Sequence, residues 1–332
     1  MSNSTEDSNL LTLGLAQMAP CWLDRARTLQ KVEAWVERAA AEGCHLAAFG
    51  EALAPGYPFW VELTDGARFN SALQKAIFAE YAEQAVQPGA GHLDGVCAIA
   101  RDRGIAVYLG CIERAVDRGG HSLYCSLVYI NPRGEIGSVH RKLTPTYEER
   151  LVWSPGDGHG LRTHPLRKFH AGALNCWENW MPLSRTALYG QGEDLHIAVW
   201  PGNTRNTRDI TRFMAMEGRS YVASVSGLMR REDVGDAPGW RAQVSAAAPP
   251  ILADGGSCLA GPDGAWIIPP APAEETLLTA TIDFRRVLEE RQNFDASGHY
   301  ARPDVTRLQV DRRRQATVEF SGDGPSVGSP RG

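Results

Sequence analysis

Residues 172–183, GALNCWENWMPL, run from a short apolar stretch into a thiol, and the thiol is followed at once by Trp177, Glu178 and Asn179. Taken with the two residues before it, HAGALNC (170–176) reads as an extended segment that ends on Cys176. A cysteine in mid-core needs no further reading, because free cysteine is among the most buried residue types. A cysteine at the end of a strand is different. In open α/β sheets the carboxyl ends of strands line the ligand crevice, so a reactive side chain there is placed to be used. The stretch therefore raises two questions: whether the rest of the chain alternates strands and helices, and whether other strand ends supply partners.

Alternation holds for most of the length, which makes the fold class α/β. TLGLAQMAP (12–20) reads as a first strand, and TLQKVEAWVERAAAEG (28–43) as a helix with Leu29, Val32, Val36 and Ala39 on one face and a stop at Gly43. HLAAFGE (45–51) is a short buried strand ending at Glu51. Helices are expected over 67–86 and 93–103, and a strand over 105–113. SLYCSLVYI and EIGSVHRK flank the turn NPRG and form a hairpin signal that ends at Lys142. A strand (195–202), a helix (207–219), another strand (221–227), a second hairpin around GPDG (261–264) and a final strand, TLLTATID (276–283), complete the series. Beyond it, RRVLEERQNF (285–294) predicts a helix and RPDVTRLQVDRRRQ (302–315) one more strand. The expected organisation is one main domain over 10–285, a C-terminal extension over 286–318 that docks on a neighbouring subunit, and disordered tails at 1–9 and 319–332, the last being rich in Gly, Ser and Pro. No repeat of 20–50 residues is visible.

Composition narrows the function classes. The 332 residues are 43% hydrophobic and 22% charged, ordinary for a globular protein. A formal charge of −5 gives no basic surface for nucleic acid or anionic membrane. No apolar run approaches the roughly eighteen residues of a membrane span, and the first nine residues are polar rather than signal-like. The seven cysteines (21, 44, 97, 111, 125, 176, 258) are odd in number with no CxxC pair, which fits reduced thiols in the cytoplasm. The nine histidines form no HExxH or similar spacing, so the sequence proposes no metal site.

Three strand ends then stand out: Glu51, Lys142 and Cys176 each follow an apolar run and precede a Gly/Pro/polar loop. Together they form a coherent chemical set in which the carboxylate takes the thiol proton, the thiolate attacks, and the ammonium stabilises negative charge. Ordinary pKa values of ~4.3 for Glu and ~8.5 for Cys make this a poor match. Burial raises the Glu and an adjacent Lys lowers the Cys, so the two are expected to converge in a dry site. Singly, each has a plainer reading: Cys176 as core, Lys142 with Arg141 as a solvated basic pair, Glu51 as a loop cap. A papain-like protease would need a histidine partner, and the order Glu–Lys–Cys offers none.

The wording around these residues is more specific. FGEALAPGYPFW (49–60), HRKLTPTYEERLVWSPGDG (140–158) and GALNCWENWMPL, in this order, resemble the nitrilase family of carbon–nitrogen hydrolases, and further likeness at 199–227 and 252–266 extends it over about residues 10–310. CWEN with RKLTPT is similar to true nitrilases rather than to the amidases or carbamoylases of the same superfamily. The resemblance implies a four-layer αββα sandwich, no cofactor and a homo-oligomer, a dimer or larger and up to a spiral. It implies Glu51 as base, Lys142 as electrostatic stabiliser and Cys176 as nucleophile. It also implies a second glutamate after the lysine; of Glu148 and Glu149 the spacing matches Glu149, whose alternative is a surface ion pair with Arg150. Three positions depart from the family pattern: Gly50 for a proline, Asn175 for an apolar residue and Trp180 for a tyrosine. Gly50 is expected to loosen the backbone that aims Glu51.

The implied reaction turns an organic nitrile into a carboxylic acid and ammonia through a thioimidate and an acyl-enzyme on Cys176, with some amide as by-product. Lys142 and the backbone N–H of Trp177 would hold the developing charge. Tyr57 and Trp177, the aromatics nearest the reactive groups, are expected to line the substrate pocket. Two other readings stay open at this point: an amidase or N-carbamoyl hydrolase with the same three residues, and a catalytically inactive binding or assembly protein of the same fold.

Overall fold

The computed structural model describes residues 8–318 except 236 and 238. The tails expected to be disordered lie outside the described residues, apart from Ser8 and Asn9. Fourteen strands are present among the described residues: β1 (Leu10–Gln17), β2 (Leu46–Phe49), β3 (Ala106–Arg114), β4 (Leu123–Ile130), β5 (Ile136–Arg141), β6 (His164–Leu166), β7 (Phe169–Asn175), β8 (Leu195–Trp200), β9 (Tyr221–Ser226), β10 (Leu228–Arg230), β11 (Ile251–Asp254), β12 (Cys258–Ala260), β13 (Trp266–Ile268) and β14 (Thr276–Asp283). They form one six-stranded sheet in the order β14-β1-β2-β3-β4-β5, a second in the order β13-β12-β9-β8-β7-β6, and the small pair β10-β11.

The strand sequences read as unbroken apolar runs because both faces of each sheet are covered. Alternate residues go opposite ways. Leu11, Leu13, Leu15, Leu46 and Tyr108 from the first sheet meet Phe169, Ala171, Ile197, Val199 and Val225 from the second in a core between the sheets. Ala47, Phe49, Val107 and Leu109, one residue out of phase, pack under the helices Arg25–Ala41 and Asp94–Arg103 through Val32, Val36, Val96 and Ala100. On the far side Ala198 and Trp200 meet Ile210 and Met214 of the helix Thr204–Gly218, and Leu174 meets Leu188 of Pro182–Tyr189. The result is the αββα sandwich. Each fully buried Leu or Phe in these layers contributes about 1.5–3 kcal/mol.

Helix limits follow local chemistry. Arg25–Ala41 starts where the Asp24 carboxylate accepts from Arg27 N at 2.9 Å, and it ends at Gly43 in the left-handed region (φ 78°). Two helices differ from the sequence expectation: the first spans Ala72–Gln84, after a loop, and the second begins at Thr204 because the Asn203 side chain accepts from Arg205 N at 2.8 Å. The strand expected within 302–315 does not form. That segment, which follows the helix Phe284–Arg291, runs along its own chain. There Arg314 donates to Asp157 Oδ1 at 2.9 Å and to Val139 O at 2.8 Å, and Gln315 N donates to Asp157 Oδ2 at 3.1 Å.

Strand direction positions the site. β2 is parallel to β1 and β3, and the two reversals β3–β4 and β4–β5 turn β5 back to the direction of β2. β7, β8 and β9 are mutually parallel in the other sheet. The carboxyl ends of β2, β5 and β7 therefore come together at one end of the sandwich, with Glu51, Lys142 and Cys176 just beyond them.

Candidate active site

Glu51 leaves β2 through Gly50, where the two sheets touch. A Cβ on Gly50 would lie 3.0 Å from Gly227 N and 3.1 Å from Trp200 O, and Glu51 N donates to that same Trp200 carbonyl at 3.1 Å. The glycine expected to loosen Glu51 instead lets the backbone approach the neighbouring sheet closely enough to be pinned there. Gly110 supports it from below, since a Cβ there would meet Gly50 O at 2.1 Å.

Lys142 continues the β4–β5 ladder, with its N–H donating to Cys125 O at 2.8 Å. Its side chain is buried, unlike a solvated basic pair with Arg141, and the two residues point apart. Arg141 binds Glu113 at 2.7 and 2.8 Å. Lys142 Nζ contacts Glu51 Oε1 at 2.9 Å and Glu149 Oε2 at 2.7 Å. Glu149 sits on the turn Tyr147–Leu151, where Oε2 also accepts from Thr146 N at 2.6 Å and Oε1 accepts from the Tyr57 hydroxyl at 2.9 Å. Glu149, not Glu148, is the carboxylate that touches Lys142, and Arg150 turns away to Pro145 O.

Cys176 follows β7 with φ 45°, a conformation that non-glycine residues adopt rarely, at the first position of the turn Cys176–Trp180. One ligand-type atom each from Glu51, Glu149 and Cys176 lie within 4.8 Å of one another. That spacing is also one a metal ion could use, but the Lys142 ammonium already touches both carboxylates and is the cation of the cluster.

The electrostatics set the resting protonation. Burial pushes the Glu51 carboxyl up to about 7, against the pull of Lys142 and with a further push from Glu149. Burial alone would lower Lys142, but Glu51, Cys176 and Glu149 more than offset it and hold the ammonium charged. The Cys176 thiol is pushed well above its usual value, first by burial and then by the Glu51 charge, with Lys142 and the Trp177 N–H opposing. Glu51 thus moves as the sequence reading expected. Cys176 moves the other way, because desolvation and the carboxylate outweigh the ammonium. Both effects favour the protonated thiol.

Of the two expected pocket residues, Tyr57 is in the cluster. Burial and then Glu149 and Glu148 push its hydroxyl well above the usual range, which keeps it a donor. Trp177 is 54% exposed, and its backbone N–H faces the Cys176 sulfur. Trp180 is also exposed. Two contributors were missed in the sequence. Glu178 is buried and accepts from Leu143 N at 2.7 Å and Asn175 N at 3.0 Å, and it contacts His140 Nε2 at 3.0 Å, so one carboxylate ties the Lys142 and Cys176 strand ends together. Burial would raise it, yet His140 and the two N–H groups hold it below its ordinary value. Its signal was present in CWEN, three residues from Asn175. The other, Cys125, has its sulfur 3.4 Å from Glu51 Oε1.

Among protein families, the Carbon-nitrogen hydrolase family matches residues 12–292. The chain belongs to that family, in its nitrilase branch. The carbon–nitrogen hydrolase is 35% identical to Nitrilase 2 of an unknown prokaryotic organism, over 93% of this chain and 95% of that one. It is also 35% identical to an aliphatic nitrilase of Sinorhizobium fredii (strain HH103), over 92% and 96% of the two chains. Among solved structures it is similar in fold to an amidase from Nesterenkonia sp. (TM-score 0.63, 18% identity, 88% of this chain and 97% of that one). A carbon–nitrogen hydrolase from Helicobacter pylori G27 is similar in the same way (TM-score 0.63, 20% identity, 89% and 96%).

Proposed function

We propose that the chain hydrolyses an organic nitrile to the carboxylic acid and ammonia, with Cys176 as nucleophile, Glu51 as general base, Lys142 as electrostatic stabiliser and Glu149 as a second carboxylate for water or proton transfer. The observation that carries this reading is the buried contact of one ammonium with two carboxylates beside a strand-end thiol, in a chain 35% identical to named nitrilases. Glu51 takes the Cys176 proton as sulfur adds to the nitrile carbon, and passes it to nitrogen, giving a thioimidate. Lys142 and the Trp177 N–H face the nitrogen as charge develops on it. Water then adds at carbon with Glu51 or Glu149 accepting its proton. Nitrogen leaves as ammonia and a thioester remains, which a second water cleaves to the acid and the free thiol. If the tetrahedral species expels sulfur instead of nitrogen, the product is the amide.

Tyr57 belongs to the site as the donor that fixes Glu149, while Trp177 contributes through its backbone. No cofactor enters any step. The substrate is a small molecule. The chain works as a homo-oligomer, for which exposed Trp180, Met181 and Leu183 and, on the helix Thr204–Gly218, Phe213 and Met216 offer apolar surface. No helix among the described residues is long and apolar enough to cross a membrane. All seven cysteines are free, which fits a reducing, cytoplasmic setting.

The test is ammonia and organic product from purified protein, wild type and Cys176→Ala, on aliphatic, aromatic and arylacetonitriles, hydrogen cyanide and the matching amides. Acid plus ammonia from nitriles, absent in the variant, is expected. Turnover of amides alone would move the protein to amidase chemistry, and residual nitrile turnover in pure Cys176→Ala would refute the covalent route.

A further inference from the structure

The two oxygens of the Glu51 carboxyl are not equivalent. Oε1 contacts Lys142 Nζ at 2.9 Å and accepts from the Cys125 thiol at 3.4 Å. Oε2 is buried with no partner among the described residues. Cys125 lies on β4, fully buried, and its sulfur is also 3.9 Å from Asn175 Oδ1, the side chain next to the nucleophile. Asn175 Nδ2 likewise has no partner among the described residues. Nothing in the proposed reaction uses this second thiol.

We propose that Cys125 is a positioning residue for Glu51: its S–H bond to Oε1 fixes the carboxyl so that Oε2 stays free to receive the Cys176 proton. The inference rests on the reading of Glu51 as the base. A thiol carries one proton and can serve one acceptor at a time. While Glu51 is ionised, its charged oxygen is the better acceptor than the Asn175 amide. Once Glu51 has taken the Cys176 proton that advantage falls, and the S–H can rotate toward Asn175 Oδ1. The rotor links the protonation of the base to the residue that precedes the nucleophile, without breaking a covalent bond.

The choice of sulfur has a physical reason. The groups facing Glu51 are Lys142 from the end of β5, Glu149 from the turn Tyr147–Leu151, Cys125 from β4 and Cys176 beyond β7, with the buried hydroxyls of Tyr57 and Tyr81 also feeling its charge. Lys142 already stabilises the carboxylate. A strong second donor on Oε1 would stabilise it further and weaken it as a base, whereas S–H is a weak donor that orients more than it stabilises. Burial and Glu51 push the Cys125 thiol well above its usual value, so it keeps its proton and does not act as a second nucleophile.

The experiment follows Cys125→Ser and Cys125→Ala in the full chain. The readouts are the pH dependence of kcat/KM for ammonia release and the rate of Cys176 alkylation by iodoacetamide, measured by mass on the peptide that carries it. Serine, a stronger donor, is expected to move the low-pH limb down by roughly half a unit, and alanine to move it up by a similar amount. A structural role alone would change amplitudes and leave the limb in place. Limbs unmoved in both variants, or shifted in the same direction, overturn the proposal. If the alanine variant does not fold, by circular dichroism, the serine variant decides alone: a downward shift supports the assignment, and no shift or an upward one overturns it. Glu51→Gln separates the two layers. Loss of the limb and of alkylation enhancement keeps Glu51 as base whatever Cys125 does, while their retention removes the base assignment itself.

Discussion

Replacing Lys142 with Met, similar in length and without charge, tests the electrostatic core of the site. In the wild type the ammonium lies 2.9 Å from Glu51 and 2.7 Å from Glu149, and all three side chains are excluded from water. Removing one partner of a buried ion pair typically costs about 3–5 kcal/mol, because the remaining charge is left uncompensated. For a chain of this length that corresponds to a melting temperature lower by about 4–7 °C at pH 8. The sign of the pH dependence follows from Glu51. A carboxyl whose pKa is raised in the fold keeps a proton that the unfolded chain has released, so its share of stability falls as pH rises. In the wild type that window runs from its ordinary value of 4.5 to about 7. Without the ammonium the window extends higher, so the deficit of the variant grows from pH 5 to pH 8. At pH 5 the Glu51 carboxyl is protonated and no longer needs the cation, so the deficit is smaller there. Activity should fall at least ~100-fold, the usual cost of deleting a group that stabilises developing charge. Thermal melts at pH 5, 6.5 and 8, with ammonia release at each, make the measurement. A deficit that does not change with pH, or a variant with near wild-type turnover, would refute the reasoning.

Glu178→Ala strands the N–H groups of Leu143 and Asn175, each worth about 1–3 kcal/mol when buried and unpaired, so a loss of about 2–6 kcal/mol is expected together with lower turnover. Because the folded-state value of Glu178 is held down, the wild-type advantage is full at neutral pH and shrinks as pH falls through that value; denaturant titrations from pH 7 to pH 3 check the sign. Gly110→Ala places a Cβ 2.1 Å from Gly50 O and 2.8 Å from Glu51 Cα, so overpacking of about 1–3 kcal/mol and a displaced base are expected. Its kcat should drop ~10–100-fold, as for a misplaced reacting group. A variant that melts lower yet keeps its kcat would show that Glu51 tolerates the shift.

The sequence by itself determined the α/β class, most of the strands, and the strand-end positions of Glu51, Lys142 and Cys176, because each signal is local. An apolar run with both faces buried, a turn at NPRG or GPDG, and a reactive residue at the run's end can all be read within about ten residues. Glu149 was named only through the family resemblance, with its spacing from Lys142 choosing it over Glu148. What the chain could not show locally is what crosses between strands. Cys125 stands beside Lys142 only because the β4–β5 hairpin shifts register between Tyr129 and Ile130, so that Ser126 pairs with Arg141. A hairpin closing directly across residues 131–134 would have set Lys142 against a different residue. Gly50 looked like a source of slack until the approach of Trp200 and Gly227 from the other sheet gave it a reason. The direction of the Cys176 shift was likewise a tertiary matter. One ammonium lowers a thiol and burial beside a carboxylate raises it, and which effect wins depends on how completely two sheets and a turn close water out.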